Sequence, residues 1–260
     1  MKERRIVMLS LLLIPLLLFS GCSPAASARS SDEAEPIGQI SLMSAEKAAA
    51  PVEDPPTPAA LLYQGKASIR VVTGEGKVIY IDPYTGDGYD LPADLILVTH
   101  SHYDHNGVDR VESRNPDCRT ITWREAIQNG EHQVFDLGYV TVEAVEAGYN
   151  RLHDVRDCVG YVLTFSNGCS IYVTGDTSTT EQMAEMADME IDYAFFCCDG
   201  VYNMGLEEAA ECAKLVNARY NIPYHMTTTA SGEVFSQELA EQFEADNRII
   251  VADGGTLLIQ

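Results

Sequence analysis

Positive charge is scarce in this sequence. The 260 residues include 17 Lys and Arg against 39 Asp and Glu, a formal net charge of −22. So acidic a body repels nucleic-acid backbones and anionic membrane surfaces, and no nucleic-acid partner is expected. Cys-x-x-Cys spacing is missing, so none of the seven cysteines points to a structural zinc site. No residue-level repeat is visible, and 46% hydrophobic content is that of one globular domain with a full core. Histidine is sparse too, with six in the whole chain.

Three of those histidines fall together. The apolar run Leu95 to Val98 reads as a strand buried on both faces and leads into His100, His102, Asp104 and His105. On an extended or tightly looped backbone, residues two apart point the same way. His100 and His102 can therefore close on one ion while Asp104 and His105 turn toward a neighbouring one. Imidazole suits zinc and other first-row metals, and carboxylate adds charge and a harder ligand.

The first residues read differently from the rest. Lys2, Arg4 and Arg5 precede an apolar stretch, Ile6 to Phe19, which ends at Ser20-Gly21-Cys22. This resembles a bacterial lipoprotein signal, with cleavage before Cys22 and lipid on its sulfur. The apolar run is short for a membrane span and contains Pro15. Residues 1–21 are thus expected to be a signal and 22–59, rich in Ala, Ser, Pro and Glu, a disordered tether. The implied location is the extracytoplasmic face of the cell membrane. Loss of residues 1–21 would remove three positive and one negative side chain, leaving about −24. The other six cysteines (Cys118, Cys158, Cys169, Cys197, Cys198, Cys212) are even in number and open to disulfides or to buried thiols.

The folded domain is expected over residues 60–260. Leu61 to Tyr63, Ser68 to Val72 and Val78 to Ile81 read as strands, with Gly74 to Gly76 as a hairpin connection. Val108 to Glu112 and Arg124 to Asn129 read as helices around a short strand, Thr120 to Trp123. Val134 to Leu137, Val140 to Ala144, Gly160 to Phe165 and Ser170 to Thr174 read as strands. Helices are expected over Thr180 to Ala187, Gly205 to Asn217 and Ser236 to Ala245, with strands at Asp192 to Cys197, Asn221 to Tyr224, Arg248 to Val251 and Thr256 to Ile259. Periodicity alone gives a mixed α/β class.

Further ligands would have to come from strand-end loops, where scaffolds place chemistry. His153 lies in the polar loop Gly148-Tyr-Asn-Arg-Leu-His-Asp154. Asp176 follows a glycine at a strand end, in Tyr172-Val-Thr-Gly-Asp-Thr177, and His225 follows a short strand in Ile222-Pro-Tyr-His225. His132 has no such context and reads as surface.

The His-x-His-x-Asp-His pattern resembles that of the metallo-β-lactamase fold superfamily. Gly65-Lys-Ala-Ser68, Ile81-Asp-Pro83, Gly160-Tyr-Val162 and Asn203-Met-Gly-Leu-Glu-Glu-Ala209, with the stretches above, are similar to the metal-dependent hydrolases around ascorbate-phosphate lactonase and phospholipase-D-type phosphodiesterases. The resemblance implies an αββα four-layer sandwich and a dinuclear site. His100, His102 and His153 would hold one metal, Asp104, His105 and His225 the other, with Asp176 bridging. Zinc is the first expectation and manganese the alternative. A water shared by the ions would act as a nucleophilic hydroxide on a lactone, ester or phosphodiester bond, oriented by Asp104. Lys66 stands where such sequences commonly have histidine.

Lys66, Arg151 and Arg156 could contact an anionic small-molecule substrate, and Tyr149, Asn150 and Tyr202 could line its pocket. Two other readings stay open: a non-catalytic metal- or solute-binding lipoprotein, and a β-lactamase-like enzyme. The Gly-Asp-Thr context and the absence of a cysteine at a ligand position match β-lactamases less well.

Overall fold

The computed structural model describes residues 57–228 and 232–260. The expected signal segment, Cys22 and most of the tether lie outside the described residues.

The first half of the chain builds one sheet. β1 (Ala59–Gly65), β2 (Ser68–Val72) and β3 (Val78–Ile81) run antiparallel in succession. The β2–β3 turn falls where the glycines predicted it, with Gly76 N donating to Thr73 O at 2.8 Å. β4 (Ala93–Val98) is buried throughout and parallel to β3, as its continuous apolarity requires. β5 (Arg114–Thr122) pairs parallel with β4 and is longer than expected, because an edge position tolerates Pro116.

A small hairpin follows. The helix expected to reach Asn129 stops after one turn, α1 (Trp123–Ala126), capped by Thr122 and Glu125. Asn129 and Gly130 both take positive φ, 56° and 82°, as the two-residue connection between β6 (Ile127–Gln128) and β7 (Glu131–His132) requires.

The second sheet comprises β8 (Val134–Asp136), β9 (Val140–Glu146), β10 (Val159–Phe165), β11 (Ser170–Val173), β12 (Tyr193–Cys197) and β13 (Tyr220–Tyr224). β8 to β11 are antiparallel in succession, while β12 lies parallel between β11 and β13. α2 (Leu206–Val216) buries one stripe, Ala209, Ala210, Cys212, Ala213 and Val216, and ends in a left-handed Asn217. The other expected helices are shorter: single 3₁₀ turns at Val108–Arg110, Gln182–Ala184 and Met186–Met189, and one turn of α3 (Gln237–Ala240). Met183 and Met186 are buried, as their spacing implied. Instead of a strand at Arg248 to Val251 there is one bridge, Arg248 to Asn221. β14 (Thr256–Ile259) then closes the first sheet beside β1.

The two six-stranded sheets share one apolar core, the sandwich the resemblance implied. Tyr161 of β10 crosses between them, its buried hydroxyl donating to Val98 O at 3.1 Å. All six described cysteines are unpaired thiols. β3, β4, β11 and β13 each end in a segment that carries a site residue, the place where parallel strands open a ligand crevice.

Candidate metal centre

Four chain segments converge. Past Val98 the chain turns sharply, with His105 N and Asn106 N both donating to His102 O at 3.1 Å. The Gly148 loop is stitched to the Asp176 turn: Gly148 N donates to Asp176 O at 3.2 Å and Ser178 N to Gly148 O at 2.7 Å. His225 N donates to Lys66 O at 3.1 Å. Asp82, Lys66 and His225 take φ of 45°, 51° and 44°. Non-glycine residues held there cost about 1–3 kcal/mol each, and such strain gathers at functional sites.

All seven sequence-predicted ligands come together. His100, His102, His153 and Asp176 offer one set of ligand atoms, Asp104, His105 and His225 another, each within 4.8 Å among themselves. His153 Nε2 approaches His102 Nδ1 to 3.2 Å, and His105 Nε2 approaches His225 Nε2 to 3.2 Å. Two ring nitrogens so close are poorly served by each other and well served by a shared cation. Asp176 sits between the sets: its Oδ2 is 3.3 Å from His153 Nε2 and its Oδ1 is 3.3 Å from His105 Nε2. His100 Nε2 and Asp176 Oδ1 are buried without a hydrogen-bond partner, which fits a metal rather than a closed polar network.

Neighbouring groups fix which nitrogen faces inward. His105 Nδ1 lies 2.7 Å from Asp82 Oδ2, which also accepts from Thr99 Oγ1 at 2.7 Å, while Asp82 Oδ1 accepts from Thr99 N at 2.8 Å. His153 Nδ1 is 3.0 Å from Asn150 Oδ1, and His100 Nδ1 is 3.1 Å from Thr99 Oγ1. In each case the proton belongs on Nδ1 and the Nε2 lone pair points into the site.

Electrostatics agree. Burial holds His100 well below the usual imidazole range, with nearby His105 adding to the effect, and burial likewise lowers His153 and His225. Neutral imidazole is the ligand form. Burial opposes charge on His105, yet Asp176 and Asp82 outweigh it and raise its pKa well above the usual value. Asp176, also disfavoured by burial, is held well below the carboxylate range by His225, His105 and His100. The centre carries anionic charge that attracts either a proton or a metal, so metal binding would displace a proton.

Over the cluster opens a cavity of about 320 Å³, lined by His102, Tyr103, Asp104, Leu152, His153, Asp176, Tyr202 and His225.

The family profile described as Beta-lactamase superfamily domain matches residues 60–225, a span that contains all seven candidate ligands. The chain belongs to that superfamily. Similar proteins include a UPF0173 metal-dependent hydrolase of Anoxybacillus flavithermus, 27% identical over 73% of this chain and 96% of the relative. Another, of Thermococcus onnurineus, is 28% identical over 75% of this chain and 97% of the relative. A solved structure from Parabacteroides distasonis is 26% identical with a TM-score of 0.58, over 72% of this chain and 89% of that one. The metallo hydrolase Igni18 of Ignicoccus hospitalis shares the fold at 19% identity, TM-score 0.59, over 78% of this chain and 99% of that one.

Within this superfamily member, some residues play other parts than their sequence context implied. Tyr202 lines the cavity, but Asn150 works behind it, orienting His153. Tyr149 borders a separate depression with His132 and Glu146, and His132 belongs to neither ligand set. Lys66 is buried, its Nζ 3.9 Å from Asp104 Oδ2 and 3.4 Å from Thr227 O. Arg156 is exposed and forks onto Asp154. Asp82 lies in one of the stretches that carry the resemblance and Thr99 directly precedes the histidine cluster, but neither position marks its residue as an orienting group in the sequence.

Gly175 sets the approach of Asp176. Its φ is +62°, and a Cβ there would meet Val159 O at 2.7 Å and Thr99 Cβ at 3.0 Å. Gly175→Ala is expected to cost about 1–3 kcal/mol and to lower metal occupancy by displacing Asp176. Thermal unfolding and elemental analysis check both; unchanged melting and metal content would contradict the account.

Proposed function

We propose that this superfamily hydrolase cleaves a lactone, ester or phosphodiester bond of a small molecule, using two divalent ions, zinc first and manganese second. The observation that carries the reading is the division of six buried or loop-held candidate ligands into two sets of three with one carboxylate, Asp176, between them. When bound, such ions supply Lewis acidity and lower the pKa of water toward neutrality. His100, His102 and His153 would hold one ion, Asp104, His105 and His225 the other. Asp176 would fix their spacing.

Asp104 faces the cavity, and its carboxylate would orient the attacking water. Lys66, pairing with Asp104 from behind, anchors that carboxylate. Tyr103, Leu152 and Tyr202 give the cavity an apolar side.

The same proposal places lipid on Cys22 and gives residues 22–59 the role of tether at the extracytoplasmic face. Its support is the sequence pattern of residues 1–22. Among the described residues, no helix is long and apolar enough to cross a membrane.

The test is elemental analysis of the full chain with hydrolysis assays before and after chelation. About two metal equivalents are expected, with hydrolysis lost on chelation and restored by zinc or manganese. Less than one equivalent after reconstitution would overturn the dinuclear reading and favour a binding protein.

A further inference from the structure

Exposed apolar side chains are not scattered over this molecule. Of the nine large hydrophobics that stand exposed among the described residues, six lie on three loops near the metal centre: Tyr103, Leu152, Val201 and Tyr202, with Tyr149 and Val155 facing the separate depression beside His132. Tyr103 is 60% exposed, Leu152 45% and Tyr202 41%, and these three share one cavity with His102, Asp104, His153, Asp176 and His225. An apolar wall continuous with a reactive centre marks a ligand surface rather than chance exposure.

The wall is built. Tyr103 packs edge-on against Tyr84, ring centroids 5.5 Å apart. Asn150 Oδ1 accepts from Leu152 N at 3.0 Å, the same oxygen that orients His153. Asp199 Oδ1 accepts from Val201 N and Tyr202 N at 2.8 and 2.7 Å. Loop backbone held this way presents its apolar side chains with less ordering cost on binding than a mobile loop would.

Among the described residues, those that line the cavity include no lysine or arginine. Lys66 is turned into the protein toward Asp104 and Thr227, and Arg156 is committed to Asp154. A substrate with a second anionic group would meet no lysine or arginine among the residues that line this cavity, the exposed Arg151 beside Leu152 lying outside the lining; an alkyl or aromatic group would find three apolar partners.

We infer that the substrate is an uncharged carboxylic ester or lactone whose alkyl or aryl group lies against Tyr103, Leu152 and Tyr202 while its carbonyl meets the metal centre. The inference rests on the hydrolase reading and narrows it. In the reaction, water oxygen bonds to the acyl carbon and the acyl C–O bond breaks. The leaving oxygen takes a proton, and the acid product ionises with release of one more.

The experiment titrates straight-chain carboxylates of two to eight carbons, as product analogues, onto the metal-loaded full chain by calorimetry. Aryl esters of the same acids are assayed in parallel. Affinity and kcat/KM are expected to rise about fourfold per buried methylene until the cavity is filled. Leu152→Ser and Tyr103→Ser should flatten that slope at unchanged metal content. Equal affinity for acetate and hexanoate overturns the inference, as does an unaltered slope in both variants or a preference for a phosphate-bearing polar lactone. Ester hydrolysis without chain-length dependence overturns it while the hydrolase reading stands. Length-dependent carboxylate binding with no metal-dependent ester or lactone hydrolysis supports the apolar wall and removes the hydrolytic reading of those bonds.

Discussion

Asp176→Ala is expected to bring metal content from about two equivalents to one or fewer and to lower hydrolysis more than about 100-fold, beyond what loss of an orienting partner typically costs. Asp176 is the carboxylate that faces both ligand sets. Its Oδ2 lies 3.3 Å from His153 Nε2 and 4.0 Å from His100 Nε2, and its Oδ1 3.3 Å from His105 Nε2 and 3.5 Å from His225 Nε2. Without it, two dications would be held by imidazoles and Asp104 alone, with no negative charge between them to offset their repulsion.

Asp176→Asn separates charge from shape. The amide occupies nearly the same volume, so loss of the second metal in both variants identifies charge as the cause. Circular dichroism should show an intact fold in each, because burial already holds His100, His153 and His225 in the neutral form and His105 keeps Asp82 beside it. Two full equivalents retained in Asp176→Ala would sink the assignment of Asp176 as the shared ligand.

How much of this was readable beforehand depends on how local each signal is. The buried run Leu95 to Val98 and the ligands after it form a continuous pattern, and β4 with its loop is where that pattern placed it. His153, Asp176 and His225 could be found because histidines are few and strand ends are punctuated by glycine or proline. The partner sheets could not be separated, since pairing of β11, β12 and β13 depends on contacts far apart in sequence. Helix ends differ from the sequence expectation where local chemistry competes: Asn129-Gly130 favours a hairpin over the helix that Arg124 to Gln128 would otherwise extend.

Lys66 shows the limit most clearly. The Gly-Lys-Ala-Ser context offers Lys66 as a contact for an anionic group but gives no sign that it is 4% exposed with its Nζ 3.9 Å from Asp104. Burial of a charge is decided by its partner, here 38 positions away, and composition carries no trace of it. The same holds for Asp82, whose bond to His105 spans 23 positions.

Asp82 is where fold stability and metal chemistry meet, and Asp82→Ala should damage both. The residue is fully buried, and its two oxygens serve Thr99 N, Thr99 Oγ1 and His105 Nδ1. Truncation leaves three buried donors unserved and a buried imidazole without its counter-charge. Breaking such a pair costs about 3–5 kcal/mol, a fall in Tm of roughly 6–20 °C for a domain of this size. Asp82→Asn keeps the volume and can still accept from Thr99 N. Its amide, however, presents donors where Thr99 Oγ1 and His105 Nδ1 already donate, so His105 is driven to the other tautomer and loses its inward lone pair. Metal affinity of the set that includes His105 should then fall about 10–100-fold with a smaller loss of Tm. Competition with a chelator of known affinity measures the first quantity and thermal unfolding of the metal-free chain the second. If Asp82→Asn binds metal like the parent, the Nδ1 contact does not set the tautomer, and the role of Asp82 reduces to holding the strand end at Thr99.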